Sequence, residues 1–528
     1  MPERDELSLI IYTKTGTVKL EISASAKNTR ISLSNVEKPN PKVAPNFCML
    51  LRKHLQNAEI TDVKQLDFER IVVFDFKCFS EFNITEMQLY CEIMGKYSNV
   101  ILVEKGIILG AMKCTSLEDN AKRILFAGAK YTLPQSQGKA NPLNLNELVS
   151  AFSATQSHTA EFISANVEGI AYSTAVDMME TYGESITPND VYNYVNRATI
   201  SPCVTYQNGQ PADFKVCSTS TDKKNYSTIL QAQTEYYTYI YIKNTFDDKK
   251  RKLLSALSTS LKKQNKRSAQ IEQKLFECNS ADDIKLKGEL ITANIYAIQR
   301  GQTSFEAVNY YKEDCPKITI ELERQLSPSQ NAQKYYKKYA KLKRTLENLT
   351  VQKKEVDEKT DYLKSIEGNI YAAEQLCDLE ETEEELTELG LIKKPEDKKK
   401  KVAKITPFRQ YFIDGFKIVA GRNNVQNDRL LKSLTGSDTW LHTQKFHSSH
   451  VAILSDGKAI PDNVILAAAE ICAYYSEARE KDKVAVDYTE KRYVKKPNGA
   501  NRGFVIYTDY KTILVMPNPH GEIKDDNE

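Results

Sequence analysis

Leu342, Leu349, Val356, Leu363, Ile370 and Cys377 recur every seven residues, with Tyr335 one heptad earlier and Lys and Glu filling the positions between. A seven-residue apolar period is a coiled-coil seam, so this part of the chain must form a long helix that buries one stripe against another helix. An upstream stretch offers the partner. Leu254, Leu257, Leu261, Ile271 and Leu275 stand at a/d-like spacing, with Gln264 and Ser268 as polar members of the seam. Two separated arms of comparable length favour an intramolecular antiparallel hairpin over parallel dimerisation. Between them, residues 279–330 hold a strand-like piece (Ile318–Leu322) and Pro328, which suits a small cap at the tip.

The rest of the 528 residues leaves room for further domains, since ~150 residues per domain predicts about three or four in all. Residues 1 to about 135 alternate in the manner of strands at Leu7–Tyr12, Val18–Ile22 and Ile71–Phe76. Asn99–Val103 and Gly106–Leu109 read as a hairpin about Lys105-Gly106. Pro45–Leu55 carries helical spacing, with Phe47, Leu50, Leu51 and Leu55 on one side and Arg52, Lys53 and His54 on the other. This is an α+β domain. From Asn141 to about Val216 the apolar residues move to helical spacing, and between 151 and 200 only Arg197 is basic. Within it, Ala165–Ala175 resembles the turn of a helix-hairpin-helix, where Gly169 permits a close turn, Ser173 caps the next helix and free amides hold a phosphate. A plain helix-turn-helix corner is the competing reading.

After the second arm the charge switches. Asp378–Glu388 is strongly acidic and reads as a solvated linker, while Lys393–Lys404 is mostly basic, with KKKK at 398–401. A further domain begins at Pro407, its strands at Phe416–Ala420, Val451–Leu454, Phe504–Tyr507 and Ile513–Val515 enclosing one helix, Asn463–Glu480. The expected class is a multidomain α+β chain.

Net charge is only +3, but it is unevenly placed: 54 basic and 54 acidic residues before 401, then 18 against 12 over 401–520. Lys491, Arg492, Lys495, Lys496 and Arg502 gather near Tyr493 and Asn498, in the same domain as Arg422. Basic groups beside aromatics suit phosphate contact and base stacking; a solvated strand face is the bland alternative. The ten cysteines are scattered without a C-x-x-C pair, which points to free thiols in a reducing, cytoplasmic compartment. No run approaches the roughly 18 apolar residues of a membrane span, and no signal peptide is read. His442, His447 and His450 share nine residues without an accompanying Asp, Glu or Cys cluster, so neither metal nor cofactor is expected. Ser448 and Ser449 beside His450 lack a nucleophile elbow, and no phosphate loop or dinucleotide turn occurs. No autonomous enzyme is expected.

Eight segments, in order along the chain, resemble the NFACT family in its bacterial ribosome quality-control branch. They are Asn46–Leu55 (NFCMLLRKHL), Met94–Leu102 (MGKYSNVIL), Lys287–Ile291 (KGELI), Ser327–Tyr339 (SPSQNAQKYYKKY), Gly421–Asp428 (GRNNVQND), Asp438–His442 (DTWLH), Ser449–Val451 (SHV) and Val486–Thr489 (VDYT). The resemblance implies a glycosylase-like N-terminal domain at 1–140, a helix-hairpin-helix domain at 141–225, and a coiled coil at 226–390 with its middle domain at about 279–330. A charged linker at 391–405, an RNA-binding α/β domain at 406–518 and an acidic tail at 519–528 complete it. It further implies a factor that binds the large (50S) ribosomal subunit and its rRNA where peptidyl-tRNA carries a stalled nascent chain. Such a factor brings alanyl-tRNA for alanine tailing, with the ribosome forming the bond.

By position, the family's Asp-Arg pair for tRNA falls on Glu69-Arg70 and its Glu-Ile-Met on Glu92-Ile93-Met94. The basic set for RNA is Arg422, Lys491, Arg492, Lys495, Lys496 and Arg502. Two departures stand out. The family's opening helix with Phe-Asp-Gly has no counterpart before the strand that follows Pro2, and Ser448-Ser449-His450 replaces Gly-Ser-His. Relatives labelled fibronectin-binding proteins supply the alternative of a surface adhesin.

Overall fold

The computed structural model describes residues 1–79, 83–115, 123–135, 138–153, 158–183, 185–196, 201–216, 218, 220–393 and 406–521. Arg197, the lysine run at 398–401 and most of the acidic tail fall outside them. The chain divides into two compact units, Met1–Lys243 and Asn244–Glu528, and is a multidomain mixture of helix and sheet.

In the first unit, β1 (Glu6–Thr13), β2 (Gly16–Ser23) and β3 (Arg30–Leu33) make a three-stranded antiparallel sheet. Helix α1 (Asn46–Leu55) follows, then β4 (Glu59–Gln65), β5 (Ile71–Phe79), β6 (Ile84–Glu92), β7 (Asn99–Glu104) and β8 (Ile107–Ala111) in a second antiparallel sheet in chain order. Alternation supplies the shared core: Ile22 from the first sheet, Phe47 and Leu51 from α1, and Phe74, Leu89 and Leu102 from the second. The β7–β8 turn sits where expected, with Lys105 (φ 48°) and Gly106 (φ 80°) both left-handed, the geometry that matches strand twist in a two-residue hairpin.

Helices α2 (Leu145–Phe152), α3 (Ala160–Asn166), α4 (Tyr172–Tyr182) and α5 (Pro188–Asn196) pack around Leu148, Ile163, Met178 and Val191. Gly169 (φ 68°) makes the α3–α4 turn. Ser173 does not cap α4: the cap position is Ala171, without a side-chain bond, and Ser173 lies inside the helix. The helical reading also ran too far. Residues 203–225 form a sheet of β9 (Cys203–Gln207), β10 (Gln210–Lys215) and β11 (Lys223–Asn225), whose first hairpin turns on Asn208-Gly209 with both residues left-handed. Cys203-Val-Thr-Tyr before an Asn-Gly turn is a strand signal that the helical spacing masked.

Helix α6 (Ile229–Cys278) begins in the first unit and continues into the second. There follow α7 (Ala281–Ala293), the hairpin of β12 (Ser304–Val308) and β13 (Lys317–Glu321), and α8 (Pro328–Ala372). Ser327 and Gln330 close a capping box around Pro328 and so start α8 sharply. The seam is antiparallel and intramolecular: Leu257 clusters with Leu363 and Ile370, Ile271 with Leu349 and Val356, and Lys353 donates to Ser268 at 2.7 Å. Cys377, the last heptad position, is not part of it. Helix α8 ends at Ala372, and Cys377 lies in a separate helix, α9 (Leu376–Glu388).

The acidic stretch is thus no solvated linker. Within α9, Asp378, Leu379, Thr382, Glu385 and Leu386 are all buried, because every third or fourth residue of DLEETEEELTE turns inward.

The C-terminal domain comprises β14 (Arg409–Ile413), β15 (Phe416–Ala420), α10 (Asn424–Ser433), β16 (Thr439–Thr443), β17 (Val451–Leu454), α11 (Asp462–Tyr474), β18 (Val484–Glu490), β19 (Val494–Lys495), β20 (Ile506–Tyr507) and β21 (Lys511–Val515). It has two helices where one was expected. Six strands form a sheet ordered β14-β15-β17-β16-β18-β21 with every ladder antiparallel, so the domain is α+β rather than α/β. Helix α11 packs Ala468, Ala469 and Cys472 against one face, small side chains allowing close approach over Ile418, Leu441, Val451 and Val486.

Candidate nucleic-acid interfaces

In the first unit, both segments expected at tRNA arrive at one end of the second sheet. Arg70 precedes β5 and Ile93 follows β6, and the register that pairs Ile71 with Glu92 continues through an Ile93 amide to Arg70 carbonyl bond of 2.8 Å. Arg70 is exposed, and no ion partner is present among the described residues. Ile93 and Met94 are half-buried beside it, followed by the 3-10 turn Gly95–Tyr97, in which the Lys96 ammonium lies 4.9 Å from the exposed Tyr97 ring. Lys96 and Tyr97 were not singled out from the sequence, although they stand within the quoted Met94–Leu102 segment.

Glu92 departs from the expectation. It is 1% exposed, takes both guanidinium nitrogens of Arg123 at 2.8 Å and accepts from Tyr131 at 3.0 Å. A carboxylate so held orders the sheet end and cannot reach a ligand. Glu69 is half-buried beside Glu168, whose carboxyl is pushed above its ordinary value by burial and by Glu69, with the charges of Asp67 and Glu147 adding to the shift. Phe68 fastens the whole turn: a Cβ on Gly169 would meet its ring at 2.5 Å and its carbonyl at 2.6 Å, so the β4–β5 turn lies directly on the α3–α4 turn. Carboxylates around that turn disfavour the phosphate that a helix-hairpin-helix holds.

In the second unit the predicted basic set divides. Arg422 is 6% exposed and donates to Asp378 at 3.2 Å, Gln375 at 3.3 Å and the Pro407 carbonyl at 3.1 Å. Arg409, fully buried, donates to the other Asp378 oxygen at 3.3 Å and stacks 4.0 Å over Tyr475. Arg422 therefore binds α9 to its domain rather than an RNA phosphate. Asn423 and Gln426 extend the same contact to Glu381 at 2.6 and 2.9 Å, and Tyr362 donates to Glu385 at 2.6 Å.

The remaining five all lie in the segment between β18 and β20. Arg492 pairs with Glu490, Lys496 with Asp428, and Arg502 with Glu388 at 2.7 Å. Lys491 is half-buried and Lys495 exposed, and neither has a carboxylate partner among the described residues.

Of the three clustered histidines, His450 is buried and His442 and His447 are half-buried. The ring of His442 stacks on Trp440 at 5.7 Å and that of His450 meets both edge-on. Burial pushes His442 down to about 4 and His450 down to about 3, so both rings are neutral at physiological pH.

Residues 1–404 match the family described as NFACT N-terminal and middle domains, and residues 406–508 match the NFACT protein RNA binding domain. The chain belongs to the NFACT family. Among NFACT relatives, Rqc2 homolog RqcH of Bacillus subtilis is 31% identical over 544 residues, covering 99% of this chain and 94% of that protein. Rqc2 homolog RqcH of Streptococcus suis is 31% identical over 522 residues, covering 98% and 93%. A solved C-terminal part of the fibronectin/fibrinogen-binding protein of Streptococcus suis is 30% identical, with a TM-score of 0.42, covering 52% of this NFACT chain and 96% of that one. Among the described residues, no helix is long and apolar enough to cross a membrane.

Proposed function

We propose that this protein is a cytoplasmic ribosome quality-control factor that engages a large ribosomal subunit holding peptidyl-tRNA. It recruits alanyl-tRNA, and the ribosome's own peptidyl-transferase centre extends the stalled chain with alanine. The near-full-length likeness to proteins named RqcH carries this reading, because it spans all domains in one order. The finer layout belongs to the same proposal: a glycosylase-like N-terminal domain and a helix-hairpin-helix domain that receive tRNA, a coiled-coil arm, and a C-terminal domain for rRNA. Arg70, exposed beside Ile93 and Met94 and without an ion partner among the described residues, suits a phosphate or base edge, since a guanidinium binds either through two parallel bonds. No chemistry is asked of the chain itself.

The test is recovery of RNA with the tagged protein from cells. Co-sedimentation with free large subunits and enrichment of alanine tRNA are expected. Recovery of neither sinks the proposal. Arg70→Ala is expected to lower tRNA recovery and leave subunit binding in place; equal loss of both makes Arg70 a folding residue.

A further inference from the structure

The C-terminal domain holds a surface that the basic set alone does not describe. From Lys491 to Lys511 the sequence carries six basic residues and one acidic, Asp509. Arg492, Lys496 and Arg502 are held by carboxylates, whereas Lys491, Lys495 and Lys511 have no ion pair among the described residues. Within this span β19 and β20 form a two-stranded ribbon with Lys495 opposite Ile506 and Val494 opposite Tyr507. Directly opposed residues share a face, so the ribbon has two distinct sides.

The inner side is anchored. Val494 is buried, and Val505 and Tyr507 pack with it against Leu431 and Trp440. Tyr507 lies 5.0 Å from the fully buried Trp440 ring and donates to Asp487 at 2.8 Å. The outer side carries Lys495, Phe504 and Ile506, the last two each 53% exposed. Tyr510, 47% exposed, instead rests edge-on against the inner-side Tyr507 at 5.2 Å.

We propose that this outer face is a stacking ledge for unpaired RNA bases, with Phe504 as the ring platform, Ile506 as the apolar floor and Lys495, directly opposite Ile506, as the phosphate contact. The inference rests on the RNA-binding reading of this domain and narrows it from RNA in general to single strands. Charge decides the occupant. An apolar strip beside Lys495, which has no ion pair among the described residues, suits a polyanion whose bases have π-faces, and only unpaired bases present those faces. A rigid anchored inner side adds to this, because a pre-ordered platform loses little freedom on binding.

The experiment measures anisotropy of the full chain with a labelled single-stranded RNA of about 12 nucleotides and with the matching duplex, across a salt series. Phe504→Ala is expected to weaken single-strand binding about tenfold, leaving duplex affinity and the salt slope unchanged, with Phe504→Trp restoring it. Lys495→Ala is expected to weaken both RNAs and to reduce the salt slope by about 1. Unchanged single-strand affinity in Phe504→Ala, with a loss in Lys495→Ala, overturns the ledge and keeps the RNA reading. Equal losses on both RNAs, or failure of the Trp variant to restore, also overturns it. No binding of either RNA by the unaltered chain removes the RNA reading itself. Loss of a concentration-dependent dimer in Phe504→Ala, at constant RNA affinity, assigns the face to a second copy and overturns the proposal.

Discussion

Arg70 and Arg422 carry the same side chain and the same expectation of RNA, yet the fold treats them oppositely. Arg70 stands exposed at a sheet end with no carboxylate partner among the described residues, while Arg422 is enclosed and bonded to Asp378 from α9. A guanidinium binds phosphate only if its donors are free and wet. Burial against an aspartate converts the same group into a joint between a helix and a domain. Acidic residues follow the same rule: Glu92 and Asp378, both 1% exposed, each hold arginine and serve the fold.

The comparison breaks most visibly at Asp378. Asp378→Ala leaves Arg409 and Arg422 enclosed without their acid, and removing one partner of a buried pair costs about 3–5 kcal/mol. Denaturant unfolding of the second unit is expected to show it, with the first unit unaffected. A shift below 1 kcal/mol makes the contact dispensable.

Acid sharpens the contrast next. His450 and His442 are neutral when folded and accept protons when unfolded, so the unfolded state gains protons as pH falls below about 6.5. Stability of the second unit is present above that pH and lost below it, by about 1.4 kcal/mol per pH unit for each ring. In the first unit, burial pushes Glu21 up, but Lys38 and Arg30 hold it below 4.5 overall. Its contribution is present above the ordinary carboxylate range and lost only as pH falls beneath it. Thermal melts at pH 7, 5.5 and 4 should show the second unit weakening first; the reverse order removes the histidines as the cause.

Phe68→Ala is expected to cost about 1–2 kcal/mol, less than a fully buried ring, because Phe68 is only half-buried where it covers the Gly169 turn. It should also lower tRNA recovery by loosening the turn that carries Arg70. Normal recovery with reduced stability means the turn keeps its shape unaided.

The smallest effect belongs to Glu168→Gln. Removing one of two neighbouring carboxylates stabilises the first unit by less than about 1 kcal/mol, and the gain rises with pH above the ordinary Glu value, where both acids otherwise ionise. A pH-independent change would show that repulsion is not relieved.

Much of the architecture was readable because short-range patterning carries it. The heptads from Leu342 to Ile370 required a paired long helix, Lys105-Gly106 required a turn, and the quoted segments required the NFACT family. Cys377 and Asp378–Glu388 show where such reading stops. Cys377 keeps the seven-residue spacing after the helix has ended, and the acids look solvated because charge in sequence says nothing of partners distant along the chain. Asp378 meets Arg409 and Arg422 across 31 and 44 positions.

Residue spacing therefore determined the paired long helices and most strands, since those elements depend on periods of a few residues, though not β9–β11, α9 or α10. Only the tertiary structure decided which arginines remain available to a ligand. Availability is a matter of solvent and counter-charge, and both are supplied by elements far away in the chain.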